Sequence, residues 1–387
     1  MSFSAVDYYN IEELYSDEER QVMQTIRRFV DEEILPTIGR HFRAGSFDPK
    51  WPRRLGELGA LGASLKGYGC AGLSPIGYGL IMQELERGDS GLRSFASVQG
   101  SLVMYPIFAF GSDAQKDRWL PKMARGEAIG CFGLSEPDFG SNPAGMRTVA
   151  KRMGDKWILN GEKRWITSGS IADVAVVWAK TDDKIRGFLV ERGAKGFSTR
   201  DIEGKFSLRA SVTSELIFQD CELPIDAVLP GSSGLRTPLE CLSQARFGIS
   251  FGAIGAATAC YDEALRYTGE RAQFGRPLSS HQLVQDKLVN MLQAITQAQL
   301  MAWRIGRLKE AGRARPQQIS MLKRNNVKMA LGCARTARDL LGASGITDAY
   351  QCGRHMCNLE SVFTYEGTDH VHTLIIGQDI TGQAAFE

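Results

Sequence analysis

The chain carries almost no net charge: 46 lysines and arginines stand against 44 aspartates and glutamates, a balance of +2. A nucleic-acid-binding surface needs a strong basic bias, so that class is excluded. Long apolar runs are missing too; none reaches the roughly 20 residues of a membrane span. The start, MSFSAVDYYNIEELYSDEER, lacks the basic and apolar blocks of a signal peptide and is too acidic for a transit peptide. No GxGxxG follows a strand, so a Rossmann dinucleotide site is not supported. Cysteine is thinly spread, with 8 in 387 residues. Its tightest grouping, Cys352 and Cys357 around His355, fits no common zinc spacing. No metal is expected, and reduced thiols imply a cytoplasmic protein.

What is present is an ordinary globular mix, 43% hydrophobic and 23% charged, in a length that suits two or three domains. The first segment, 1–127, reads as helical. Ser16 and Glu19 form a capping-box pattern, followed by Val22, Ile26, Val30 and Ile34 at helical spacing before Pro36. Ser112 and Gln115 repeat the signal before a helix around Trp119 to Ala124, and the glycine-rich stretch from Lys66 to Ser74 reads as a loop. Segment 128–235 reads as an antiparallel β domain. Asn160-Gly161 marks a hairpin between KWIL and EKRWIT, and ADVAVVWAK and IRGFLVER are further strands. Segment 236–387 returns to helices. Leu288, Leu292, Ile295, Ala302 and Ile305 make one apolar stripe, and Ile319, Leu322, Val327, Ala330, Ala334 and Leu341 make a second after Pro316. Gly342 and Gly345 end that second helix. The expected fold class is α+β, a β domain set between two helical ones, whose junctions suit a ligand.

Four clusters carry chemistry. In TYEGTDHVHTLIIGQDITGQAAF, Glu366 taken alone is an acid near a helix start, where the macrodipole favours it. Tyr365 adds a bulky wall, Gly367 permits close backbone approach, and the Thr368 hydroxyl lies beside free helix N–H groups that suit a phosphate. CFGLSEPDFGS, Cys131 to Ser141, is a short strand running into a turn whose main chain and hydroxyls can line a flat ring. KRWITSGS places Trp165 and Thr167 on one side of a strand; a buried Trp with a cross-strand Thr is the plainer reading. In ERAQFGRPL, Arg271 can pair with a pyrophosphate and Phe274 can pack on a ring or sugar; the plainer reading is a helix broken by Gly275 and Pro277.

Together, in this order and spacing over almost the whole chain, the clusters resemble the acyl-CoA dehydrogenase family. The resemblance implies an N-terminal helical domain, a middle β domain and a C-terminal four-helix bundle, in a homotetramer. It implies non-covalent FAD, with Phe132, Leu134, Ser135, Trp165, Ile166 and Thr167 at the isoalloxazine. Arg271, Phe274 and Gln282 would reach the FAD of a neighbouring subunit, joined by the Gly342–Ala343 turn, with Thr368 at the same cofactor. Ala343 and Ser344 replace a more usual glycine and asparagine. Ser141 and Arg246 fall where the family binds CoA. The implied reaction is α,β-dehydrogenation: Glu366 removes the α-proton while the β-hydrogen leaves as hydride. A free glutamate, of pKa about 4.3, is a poor base, and burial under an acyl chain should raise it.

Within the family the likeness runs to glutaryl-CoA dehydrogenases, through ELERGDSGLRSFASVQGSLVM (Glu84 to Met104), GKFSLRAS (Gly204 to Ser211) and the C-terminal stretch. Arg93 matches the arginine for the distal carboxylate, a task its planar fork suits. Ser94 and Ser97 can add hydrogen bonds, and Glu86 matches an acid that holds that arginine. Leu92 and Phe95 depart from the usual tyrosine and small residue. The implied outcome is oxidative decarboxylation to crotonyl-CoA and CO₂, with electrons passing to an electron-transfer flavoprotein. A short-chain dehydrogenase or oxidase, an enzyme of acyl-carrier-protein substrates and a flavin-binding protein without chemistry stay open as alternatives.

Overall fold

The computed structural model of the protein describes residues 6–182 and 184–385. Phe386, which closes the C-terminal stretch read above, and Met1 to Ala5 of the polar start lie outside the described residues.

Helix α1 (Asp17–Phe29) opens with the capping box from Ser16 and Glu19, both reciprocal bonds being made. The helical path does not stop before Pro36. A π turn over Val30–Ile34 leads into α2 (Leu35–Ala44), with Pro36 inside its first turn. Proline has no N–H to give there, and the irregular winding absorbs the loss. Then come α3 (Trp51–Glu57), α4 (Pro75–Gly88), α5 (Ser90–Ser97), a π segment (Val98–Met104), α6 (Tyr105–Phe110) and α7 (Asp113–Ala124). The Ser112–Gln115 capping box starts α7.

The middle region holds β1 (Gly130–Gly133), β2 (Val149–Met153), β3 (Lys156–Thr167), β4 (Val174–Lys180), β5 (Ile185–Glu191), β6 (Phe197–Asp201) and β7 (Thr213–Pro224) in one sheet. Most pairs are antiparallel, as expected. The exception is β4, which runs parallel to β1 and, at one pair, to β2. The chain leaves β1, makes the β2–β3 hairpin, and only then returns beside β1, so direction is preserved. The hairpin is also not where Asn160-Gly161 placed it. The turn is Gly154-Asp155, between Met153 and Lys156, which pair directly. Asn160 and Gly161 lie inside the unbroken β3, at a register shift against β7. There Asn160 exchanges hydrogen bonds with the side chain and main chain of Asp220. An Asn-Gly pair serves a bulge as well as a turn, and pattern alone does not separate the two.

The C-terminal helices are α8 (Arg236–Glu270), α9 (Gln282–Glu310), α10 (Pro316–Leu340), α11 (Cys352–Thr364) and α12 (Asp369–Thr381), with the small hairpin β8 (Ala272–Gln273) and β9 (Arg276–Pro277) after α8. One buried core joins α8, α9, α10 and α11 through Ile249, Ala256, Ile295, Val327, Ala334 and Leu359. A second runs from the N-terminal helices into β1, β4 and the start of α8. Helix α4 is buried on nearly every side and packs along α8. Among the described residues no helix is long and apolar enough to cross a membrane, and all eight cysteines are free thiols.

Candidate active site

A cleft of about 1510 Å³ opens between the sheet, α8, α10 and the segment joining α11 to α12. The sheet supplies one wall. Phe132, Leu134 and Ser135 leave β1, and Trp165, Ile166 and Thr167 end β3. A second register shift between Lys163 and Ile166 turns this end of the strand. It holds Trp165 at φ 65°, a conformation a bulky residue rarely takes without cause. Trp165 is 59% exposed, so the buried reading of this residue is wrong. Its indole instead presents a face that a flat ligand can cover. Beneath this wall, buried Lys163 donates to Glu136 at 2.8 Å and to the Leu134 carbonyl at 3.1 Å. Glu136 also accepts from the amides of Arg147 (2.6 Å) and Thr148 (3.0 Å). Burial pulls the Lys163 ammonium down to about 8 against the pull of Glu136. The pair pins the loop carrying Ser135 and Ser141 to β3, a role the sequence reading missed.

The opposite wall is the segment Tyr365-Glu366-Gly367-Thr368, all four lining the cleft. Thr368, not Glu366, is the N-cap of α12; its hydroxyl accepts from the Val371 amide at 3.1 Å. Glu366 sits two residues earlier at φ 52°, the left-handed region, which costs a non-glycine residue roughly 1–2 kcal/mol. Its Oε2 is buried and has no hydrogen-bond partner among the described residues. Burial raises the Glu366 pKa; Arg93, Lys323 and Arg246 draw it back only in part. Three basic side chains therefore act on one carboxylate. Arg246 was expected at CoA; it lines the cleft, and its Nε donates to the Glu366 carbonyl at 2.8 Å.

Arg93 lies on α5, which Asp89 caps and holds in place: its carboxylate takes the Gly91 amide at 2.7 Å and, from α11, Arg354 at 3.0 Å and Asn358 at 2.9 Å. The Arg93 guanidinium is fully buried. Its Nε donates to Glu86 at 2.6 Å and its Nη2 to the Tyr365 hydroxyl, whose ring it also faces. Nη1 has no partner among the described residues. Ser94 lines the cleft; Arg93 and Ser97 lie behind its surface. The pair exists because α8 carries Gly252. A Cβ there would stand 2.0 Å from Glu86 Oε2 and 3.1 Å from Arg93 Nε. Gly252→Ala should therefore lower the unfolding midpoint, since displacing a buried ion pair outweighs the roughly 1 kcal/mol that alanine gains in a helix. Thermal unfolding of the two proteins checks it.

Not every candidate enters the cleft. Arg271, Phe274, Gln282, Gly342 and Ala343 are exposed, on or beside the β8–β9 hairpin and just past α10, and do not line it. Ser141, Ser135 and Thr368 do.

Three family models match in series: the acyl-CoA dehydrogenase N-terminal domain over 16–127, the middle domain over 131–221 and the C-terminal domain over 232–381. The chain belongs to the acyl-CoA dehydrogenase family. Among members of known structure, it is similar to a Mycobacterium smegmatis glutaryl-CoA dehydrogenase in complex with FADH2. Identity there is 52%, coverage 99% of both chains and the TM-score 0.98. A second glutaryl-CoA dehydrogenase structure from the same organism is 56% identical, with a TM-score of 0.97 over 97% of this chain and 98% of that one. The human mitochondrial short-chain specific acyl-CoA dehydrogenase is 34% identical over 365 residues, 92% of this chain and 88% of its own. The chain is thus an acyl-CoA dehydrogenase family enzyme with the family's helical, β and helical domains.

Proposed function

We propose that this enzyme is a glutaryl-CoA dehydrogenase, using FAD to oxidise glutaryl-CoA and release crotonyl-CoA and CO₂. The observation that carries the reading is Arg93: a fully buried guanidinium, held by Glu86, with Nη1 free of any partner among the described residues. A buried cationic N–H without an acceptor is costly, and a distal carboxylate would satisfy it. The glutaryl-CoA dehydrogenase relatives point the same way.

FAD fits the residues present. Phe132, Leu134 and Ser135 with Trp165, Ile166 and Thr167 form a wall for its ring, and exposed Trp165 gains cover from it. When bound, the flavin supplies a two-electron acceptor for the substrate's β-hydrogen. Glu366 takes the α-proton. Its unpartnered Oε2 is free to receive it, and its raised pKa makes it a stronger base than a solvated carboxylate. The Glu366 N–H polarises the thioester carbonyl as an oxyanion donor. Arg271, Phe274, Gln282 and the Gly342–Ala343 turn meet the cofactor of another subunit in a homotetramer. Phe274 at 94% and Ile346 at 77% exposure support a surface that another copy covers. The electron acceptor is an electron-transfer flavoprotein, and free thiols fit the cytoplasm.

A short-chain dehydrogenase is the second reading. Arg93 is already sealed behind the cleft by Glu86 and Tyr365, which suits a structural arginine and an uncharged acyl chain. An anaerobic panel of glutaryl-, butyryl- and hexanoyl-CoA, followed by flavin bleaching and product mass, separates the two. Bleaching by glutaryl-CoA with CO₂ loss supports the first; bleaching by butyryl-CoA alone overturns it.

The pH dependence has a definite sign. Glu366 acts only when deprotonated, and burial raises its pKa. Activity should therefore rise with pH through a value above the ordinary carboxylate range of about 4.3. The acid limb of kcat/KM checks this, and a limb at or below that value would contradict it.

A further inference from the structure

Three consecutive carbonyls around the base each receive a cationic donor. Lys323 Nζ, from α10, donates to the Tyr365 carbonyl at 2.8 Å and to the Gly367 carbonyl at 2.7 Å. Arg246 Nε, from α8, takes the Glu366 carbonyl between them. Lys323 is 1% exposed, on the same face of α10 as Ile319, Leu322 and Asn326. A lysine in that position is expensive unless its N–H groups are matched. The two carbonyls it grips flank a residue in the left-handed region, followed by Gly367 at φ 94°. This backbone is not the one an unconstrained Tyr-Glu-Gly segment would choose.

We propose that Lys323 is a positioning residue that fixes both the carboxylate and the backbone N–H of Glu366. A peptide unit is planar and trans, so a carbonyl and the next residue's N–H point in opposite directions. Holding the Tyr365 carbonyl toward α10 therefore aims the Glu366 N–H away from α10. Holding the Gly367 carbonyl as well closes the segment into a loop pinned at both ends. The strained φ of Glu366 persists because Lys323 and Arg246 together over-determine it. The Lys323 charge also acts on the Glu366 carboxylate, with Arg246, Arg93, Asp369 and His372 as the other ionisable neighbours. Burial lowers Lys323 to about 7, so the positioning rests on its N–H donors, present in either protonation state.

The proposal rests on Glu366 as the base, but its test does not depend on turnover. Lys323→Met keeps the stem and removes the donors. Amide hydrogen exchange in the FAD-loaded protein should quicken at least tenfold in peptides covering 364–368, while the α10 core around Val327 and Ala330 stays protected. Lys323→Arg, which keeps N–H donors, should restore most of the protection and of the activity. With the acyl-CoA that the wild type turns over, Lys323→Met should lose kcat by tenfold or more with KM within threefold. Its acid limb should move upward, because a positive charge acting on the carboxylate is gone. Unchanged exchange at 364–368 overturns the positioning role whatever the activity. So does loss of protection throughout α10 in both variants, which marks a merely structural lysine. A wild type inert to every acyl-CoA defeats the functional reading and leaves the exchange result to decide Lys323.

Discussion

Glu366→Gln should abolish dehydrogenation, with a loss at the upper end of the roughly 10²–10⁴-fold that a positioned acid or base contributes, and should keep both fold and flavin. Among the described residues, the carboxylate is the group in the cleft wall with a buried, unpartnered oxygen at hand for an α-proton. Its burial already favours the neutral form. A neutral amide of the same shape therefore costs the fold little, and the unfolding midpoint should stay at or above that of the wild type. The backbone anchors from Lys323 and Arg246 bind carbonyls, not the side chain, and survive the change. Flavin content, melting temperature and single-turnover bleaching measure the three claims. Turnover within tenfold of wild type would remove Glu366 from the role of base.

Arg93→Met should have the second large effect, on stability and selectivity together. It leaves the Glu86 carboxylate fully buried without its partner. Breaking a buried pair on one side costs about 3–5 kcal/mol, so denaturant unfolding should shift markedly. Adding Glu86→Gln should recover a good part of it, since the stranded charge is then gone. On glutaryl-CoA, kcat/KM should fall about a hundredfold in the double variant, the equivalent of roughly 3 kcal/mol for a lost charge-assisted contact. On butyryl-CoA it should change far less. An equal loss on both substrates would make Arg93 a structural residue and favour the short-chain reading. Leu92 and Phe95, the departures noted in the sequence, are both buried core residues. They pack around α5 and do not line the cleft.

Much of the architecture was legible because it follows from local rules. Ser16–Glu19 and Ser112–Gln115 capped helices as their spacing dictates, and Pro316 opened α10. The strands Val174–Lys180 and Ile185–Glu191 fell within the two runs read for them. Asn160-Gly161 misled because a turn and a bulge ask the same of the backbone, and only the partner strand β7 decides between them. Pro36 does not end the helical path, since a π turn carries the winding past it.

The site divides in the same way. Glu366 with Tyr365 and Gly367, the Trp165–Thr167 strand end and the Phe132–Ser135 exit are contiguous motifs, and the structure gathers them on one cleft. Lys323 was visible in the sequence as a charge within an apolar helical face, but a helix stripe does not say what that charge meets. Gly252 and Lys163 gave still less, because their importance lies wholly in what packs against them. The sequence by itself determined the order of helical and β segments, the candidates for the base and for the substrate arginine, and the family they imply. Only the tertiary structure decided that Glu366 is strained, buried under the pull of three basic side chains and gripped from α8 and α10. It alone placed Arg93 behind the cleft wall with Glu86 and Tyr365. The physical reason is that burial and pairing energies depend on distances between residues far apart in the chain, which no local pattern contains.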